Sequence, residues 1–324
     1  MKNIMVVGGA GYIGSVICKY LLNAGYKVTV FDRFMYGDSA LKELQDCAIV
    51  RGDTRDISQL HATMKRCDAI VYLAELVGDA ICREHATEAF ETNELAAISA
   101  VRMARRLNRQ FIYFSSCSVY GASENPDEML DESSPLIPQS EYAKYKIKVE
   151  GEILSNALPR MCIFRLGTVF GLSPRLRFDL VINLFAAKAF FDKKLEIYGG
   201  MQWRPHTHVC DVAKAVLLAL EAPEEALCRH VFNVVTANLR IIELGYVITD
   251  LFSEVEMERK NEQADPRNYR VSGKRANECL KFNPHRTVAS GILEFKRAFE
   301  SGEISNYTDP RYSNVDWYRG DGHG

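Results

Sequence analysis

The sequence lacks any apolar run long enough to cross a membrane. Its longest, LVINLFAAKAFF at positions 180–191, is short and carries Lys188, so no membrane association is expected. It also lacks a signal-like leader: the apolar stretch in MKNIMVV is too brief and glycines interrupt it at once. There is almost no net charge, −2 over 324 residues. That leaves no global field to draw nucleic acid or anionic lipid, so any phosphate must be bound locally. Nine cysteines form no C-x-x-C pair and show no metal-like spacing. Such a dispersed, odd set reads as reduced thiols of a cytoplasmic protein, packed as small apolar residues. His206 and His208 are neighbours without further ligand types nearby, so no metal site is expected. Repeats and low-complexity linkers are absent too.

What is present is an alternation of short apolar runs with helix-period segments. NIMVV (3–7), KVTVF (27–31), AIV (48–50), AIVYL (69–73), QFIYF (110–114) and MCIFRL (161–166) read as strands. IGSVICKYLLNAG, ISQLHATMKRC, TNELAAISAVRMARRL and EYAKYKIKVEGEILSNA read as helices between them. This order implies an α/β fold, a Rossmann-type doubly wound parallel sheet with helices on both faces. The chain is also long for one hydrophobic core. Beyond residue 167 the pattern loosens, with prolines at 174, 205, 223, 266 and 284. We therefore divide it into a dinucleotide-binding domain at 1–171, its sheet completed by about 206–236, and a smaller C-terminal substrate-binding lobe at 172–205 and 237–300. The polar 301–324 tail reads as loop with one ordered turn.

GGAGYIG (8–14) lies between the first strand and the first helix. Gly8, Gly11 and Gly14 allow a tight turn, close approach of a diphosphate to bare backbone, and close helix–strand packing. Tyr12 and Ile13 open the helix whose N-terminus faces the anion. Asp32 ends the second strand, eighteen residues past Gly14. An acid there accepts from the adenosine ribose hydroxyls and repels a 2′-phosphate, which selects NAD over NADP. Arg33 is a candidate partner for a cofactor phosphate, its other reading being a solvated loop charge. In GDTRD, Asp53 and Thr54 follow the third strand. Asp53 is a candidate for the adenine amino group, with a helix N-cap as the alternative. Leu73 and Ala74 follow the fourth strand, where backbone passes close to the cofactor.

The fifth strand ends in SSCSVYG, and Tyr142 and Lys146 stand four apart on the following helix, hence on one face. A lysine cation beside a tyrosine lowers its pKa. A tyrosine so tuned takes the proton of a sugar hydroxyl while hydride leaves to nicotinamide, and a serine at the strand end bonds the same hydroxyl.

GGAGYIG, FDR, GDTRD, SSCSVYG, YAKYK, RLGTVFG and WRPHTHVCDVAKA stand in one order over nearly the whole chain. The sequence resembles the extended short-chain dehydrogenase/reductases of the NAD-dependent epimerase/dehydratase family, which modify sugar nucleotides. The resemblance assigns catalysis to Ser116, Tyr142 and Lys146, with Tyr142 and Lys146 also touching the cofactor. It places Ser116, Cys117, Ser118, Asn183, Arg204, Arg267 and Arg270 at the substrate, the arginines on its diphosphate. Dehydratases of the family carry an Asp-Glu pair where this chain has Cys117 and Ser118, which argues against dehydration. Cys117 then reads as a small residue under the sugar. Thr168 replaces an asparagine of the family pattern. Glu75 stands where similar proteins have a small residue, and its role is open between touching the sugar and setting the cofactor.

The resemblance implies a nucleoside-diphosphate hexose or heptose as substrate, oxidised at carbon 4 by a 4-dehydrogenase/reductase or a 4-epimerase. Dehydratase or decarboxylase activity, or a non-catalytic NAD-binding sensor or assembly subunit, are the alternatives. It further implies a homodimer formed by the helices at about 88–107 and 141–156 pairing into a four-helix interface.

Overall fold

In the computed structural model, residues 1–320 are described except 124, 126, 156–157, 228–229, 263–264 and 266; Pro266, Cys228 and the last four residues of the tail thus lie outside the described residues. Seven parallel strands form the main sheet, in the spatial order Val231–Val234, Met161–Leu166, Gln110–Ser116, Ala69–Tyr72, Asn3–Val7, Lys27–Asp32, Ala48–Arg51. The inner strands are almost wholly buried because helices cover both faces, which is why they read as unbroken apolar runs.

Successive side chains alternate between two cores. Ile4, Val6, Val71, Ile112 and Phe164 pack on one face beneath the Tyr12–Asn23 and Val209–Glu221 helices. Met5, Val7, Ile70, Phe111 and Ile163 pack on the other, against Leu60 and Met64 of the Ile57–Met64 helix, Ala97, Ala100, Val101 and Ala104 of Ala97–Arg106, and Val149 and Ile153 of Glu141–Ser155. The chain winds outward from the first strand to the third, then returns to place the fourth on the first strand's other side. The crevice at that reversal, at the carboxyl ends of the strands, is where ligands bind in such sheets.

Two buried charges cross the second layer. Arg165, on the Met161–Leu166 strand, donates to Glu150 at 3.1 and 2.6 Å and to the Tyr120 hydroxyl at 3.0 Å, while Ser115 donates to Glu150 at 2.5 Å. The pair ties strand to helix directly behind the SSCSVYG turn.

The sheet's two edges differ. Ala48–Arg51 is short and mostly exposed. Val231–Val234 is buried; there the Glu132 carboxylate accepts from the Asn233 N–H at 2.8 Å and Arg275 donates to the Val231 carbonyl at 3.3 Å. Of the stretch expected to complete the sheet, only this strand joins it. Trp203–His208 pairs instead with Thr168–Phe170 and Ala237–Arg240 in a separate three-stranded sheet.

A third core gathers Ile182, Leu195, Ile248, Phe295 and Phe299 from the helices Val181–Phe191, Ile241–Leu251 and Val288–Glu300 and the strand Lys194–Tyr198, which pairs with Glu256–Lys260, together with Phe178 from the segment before the first of these helices. The tail is more ordered than its composition suggests. It forms a 3-10 turn at Pro310–Tyr312 and a helix at Asn314–Arg319, because Tyr312 packs edge-on against Phe178 and Tyr318 against His85.

Candidate active site

The crevice holds one cavity of about 450 Å³, lined from the glycine turn at one end to Ser116, Tyr142 and Lys146 at the other. At the turn, Gly8 has φ +85°, and a Cβ on it would lie 2.8 Å from the Ala74 nitrogen; a Cβ on Gly14 would lie 2.1 Å from the Gly8 carbonyl oxygen. No side chain fits at either position. Gly11 caps the first helix without a side-chain bond, so the helix N-terminus faces the cavity with its positive dipole end free for an anion.

Asp32 accepts from the Ala10 and Phe34 N–H groups at 2.9 and 2.7 Å. Burial pushes its carboxyl up, while these two N–H groups, Arg33 and Arg175 pull it back. Each oxygen keeps a lone pair for a ribose hydroxyl. Ile13, Asp53, Thr54, Leu73 and Ala74 also line the wall. Asp53 does not cap the following helix; Asp56 does, accepting from the Gln59 N–H at 3.0 Å. Arg33 is no solvated loop charge. It bridges Asp53 at 3.2 Å and Glu88 at 2.6 Å and approaches the Tyr318 hydroxyl at 3.4 Å.

The sequence reading missed Arg175. It is 3 % exposed, lines the cavity and stacks on the Tyr36 ring at 4.2 Å. Its Nε and Nη2 are buried without a partner among the described residues. Burial, aided by Arg177, lowers its pKa to about 10. Arg177, by contrast, is held by Asp179 at 2.9 and 2.8 Å. The signal was the doubled arginine of SPRLRFD. A buried guanidinium with free donors fits an anion, and with the bare glycine turn it makes this end of the cavity a fit for a dinucleotide diphosphate.

At the other end, the Ser116 Oγ accepts from the Ser118 N–H at 3.1 Å, capping a 3-10 turn at Cys117–Tyr120. The Ser118 Oγ is buried without a partner among the described residues, and Ser118 lines the cavity. Cys117 points away, its thiol donating to the Arg165 carbonyl at 3.5 Å, and burial pushes that thiol up. Lys146 donates to the Phe114 carbonyl and to the Glu75 carboxylate. Its ammonium lies 5.4 Å from the centre of the Tyr142 ring. Burial, then the nearby Glu75 carboxylate, pushes the Tyr142 phenol well above its ordinary value.

The other expected substrate residues divide. Arg267 lines the cavity, although Asp265 grips it at 3.0 and 2.7 Å. Arg204 meets Asp265 at 3.1 Å and donates to the Trp203 and Arg267 carbonyls, so it is turned toward protein partners. Arg270 stacks on the Trp203 ring at 4.9 Å, outside the cavity lining. Asn183 is fully buried away from the cavity. It donates to the Tyr12 hydroxyl at 3.1 Å and the Arg177 carbonyl at 2.8 Å and accepts from the Gly171 N–H at 3.2 Å. Tyr12 in turn donates to the Gly171 carbonyl at 2.6 Å. Both side chains clamp the glycine-turn helix onto the RLGTVFG strand.

Residues 4–234 match the family model described as NAD dependent epimerase/dehydratase family. The chain belongs to that family. Its cofactor is NAD, and its members modify sugar nucleotides. A UDP-N-acetyl-alpha-D-glucosaminuronate decarboxylase of Bacillus cytotoxicus is 28% identical over 68% of this chain and 71% of its own. A UDP-glucose 4-epimerase of Corynebacterium glutamicum is 26% identical over 92% of this chain and 95% of its own. Among solved structures, the UDP-glucose 4-epimerase of Thermotoga maritima with UDP-glucose superimposes with a TM-score of 0.80 at 24% identity, covering 93% of this chain and 99% of that one. At that identity the likeness shows the fold.

Proposed function

We propose that the protein is an NAD-dependent oxidoreductase acting at carbon 4 of a nucleoside-diphosphate hexose or heptose, as a 4-dehydrogenase/reductase or a 4-epimerase. One observation carries the reading. A single cavity joins the glycine turn, Asp32 and Arg175 to Tyr142, Lys146 and Ser116, so a bound dinucleotide would bring its nicotinamide to the tyrosine. NAD supplies the hydride acceptor. The chain's own residues do the rest: Tyr142 takes the hydroxyl proton, Ser116 and Ser118 orient the sugar, and Arg267 faces its diphosphate. Cys117 points away from the cavity and Ser118 is a hydroxyl, so neither replaces the acids of a dehydratase.

The pairing of Arg102 and Arg105 with Glu152 at 2.9 and 3.2 Å sets two helices side by side, and Phe90, Leu95 and Leu154 are exposed near them. These apolar groups support a homodimer through a four-helix interface.

The test is a panel of UDP-, GDP-, dTDP- and CDP-sugars with and without NAD, read by mass spectrometry and cofactor absorbance. Unchanged mass with altered retention means epimerisation; loss of two hydrogens with reduced cofactor means dehydrogenation. Loss of water would overturn the reading of Cys117 and Ser118, and no turnover on any sugar would favour a non-catalytic role. Cofactor binding has its own check. Arg175→Met removes charge-assisted bonds to the diphosphate, so NAD affinity measured by calorimetry is expected to fall about 10- to 100-fold. Unchanged affinity would place the diphosphate elsewhere.

A further inference from the structure

Glu75 is the feature for which neither the fold nor the family offers a use. It follows the fourth strand in LAELVGD and reaches Lys146, seventy-one positions away. Its side chain is 4 % exposed and that of Lys146 is 3 %. Two donors converge on this one carboxylate, the Lys146 ammonium and the Tyr113 hydroxyl at 3.2 Å, and the Tyr142 phenol stands near enough for the carboxylate to push it up. A protonated carboxyl would compete with those donors, so the pattern fits the anion.

A tyrosine–lysine pair ordinarily balances its charge as phenolate and ammonium. Here the ammonium already has a counter-ion. With Glu75 ionised, a Tyr142 phenolate would place two anions beside one cation in a dry site, which like-charge repulsion disfavours. Burial raises the Glu75 carboxyl and lowers the Lys146 ammonium, and their pairing opposes both shifts. The other titratable groups acting here are Tyr72 and Cys82 around Glu75, Asp79 and Arg177 on Tyr142, and Glu150 on Lys146, itself paired to Arg165. None is a second cation bonded to the Glu75 carboxylate.

We infer that Glu75 is a positioning residue that replaces the tyrosinate as the counter-ion of Lys146 and holds the proton of Tyr142 during turnover. This rests on the proposed role of Tyr142. As the sugar's C–H pair leaves as hydride to NAD, the sugar O–H bond breaks and its proton joins the Tyr142 oxygen. The original Tyr142 proton moves to a Glu75 oxygen, leaving a ketone, a neutral tyrosine and a neutral carboxyl. In the reducing direction the same two protons return. The resting site is then primed with a protonated tyrosine, as a general acid.

The experiment needs no substrate. The near-ultraviolet tyrosinate band of Tyr142 is read as the difference between each protein and its Tyr142→Phe counterpart, titrated with alkali on the full chain. In the wild type the band should be absent at neutral pH. In Glu75→Gln and Glu75→Ala, only Lys146 remains beside the phenol, and the midpoint should fall by about 1–3 pH units. Glu75→Gln keeps the volume and Glu75→Ala supplies a smaller side chain, so one of the two remains informative if the other unfolds. A merely structural role predicts altered thermal stability with an unmoved midpoint, and that result would overturn the inference. So would a tyrosinate band in the neutral wild type. If the midpoint shifts while Tyr142→Phe retains turnover on a sugar nucleotide, the charge assignment stands and the catalytic reading fails instead.

Discussion

Tyr142→Phe is expected to lower turnover on the true substrate by roughly 10²–10⁴-fold, the range that a positioned general base or acid contributes. The substitution removes one oxygen. It leaves the Lys146–Phe114 carbonyl bond, the Glu75 pair and the glycine turn in place, so NAD binding should survive within a few-fold. The measurement is a steady-state assay on the sugar that reacts in the panel, paired with calorimetric NAD binding on the same preparation. A large loss of turnover with intact binding supports proton transfer by Tyr142. Equal loss of both points to a packing role, and full activity would exclude Tyr142 from the chemistry.

The second large effect concerns stability. Arg165→Met should destabilise the fold by about 3–5 kcal/mol, because it strands the Glu150 carboxylate in the interior. Removing the cation also costs the Tyr120 hydroxyl its donor. The double variant Arg165→Met/Glu150→Met should recover much of the loss, since an apolar pair of similar volume avoids the desolvation that the ions suffer. Urea unfolding of the wild type, Arg165→Met, Glu150→Met and the double variant decides. If the double variant falls by the sum of both single losses, the pair is not coupled and the argument from burial fails.

The parallel sheet was legible because each inner strand is an apolar run between helix-period segments, and the 2- and 3.6-residue periods are local properties of the chain. The glycine turn was legible for a similar reason: the constraint on Gly14 falls inside the seven-residue turn, on Gly8 and Gly9, although what excludes a side chain at Gly8 is the distant Ala74 backbone. The rest depended on contacts between distant positions. Nothing near Glu75 in the sequence announces Lys146. Nothing near Arg204 announces Asp265, which turns its guanidinium toward protein partners. The resemblance placed Asn183 at the substrate; here the Tyr12 hydroxyl and two backbone groups use its amide. Arg175 carries the same lesson reversed, since only the fold shows that its neighbour Arg177 has an acid while Arg175 has none bonded to it among the described residues. The π-helical stretch Phe90–Ala96 was read as ordinary helix, because one widened turn leaves no mark in an amphipathic pattern.

The two edges of the sheet bear on how the molecule behaves in company. An open strand edge is a template on which another chain can add, the first step toward fibres and clumps. Ala48–Arg51 offers only four residues, mostly wet, with Arg51 last. At the opposite edge, Glu132 occupies an N–H and Arg275 a carbonyl that an incoming strand would need. Strand addition is therefore poorly rewarded at both sides, and crowding should not stack the sheets of neighbouring copies edge to edge.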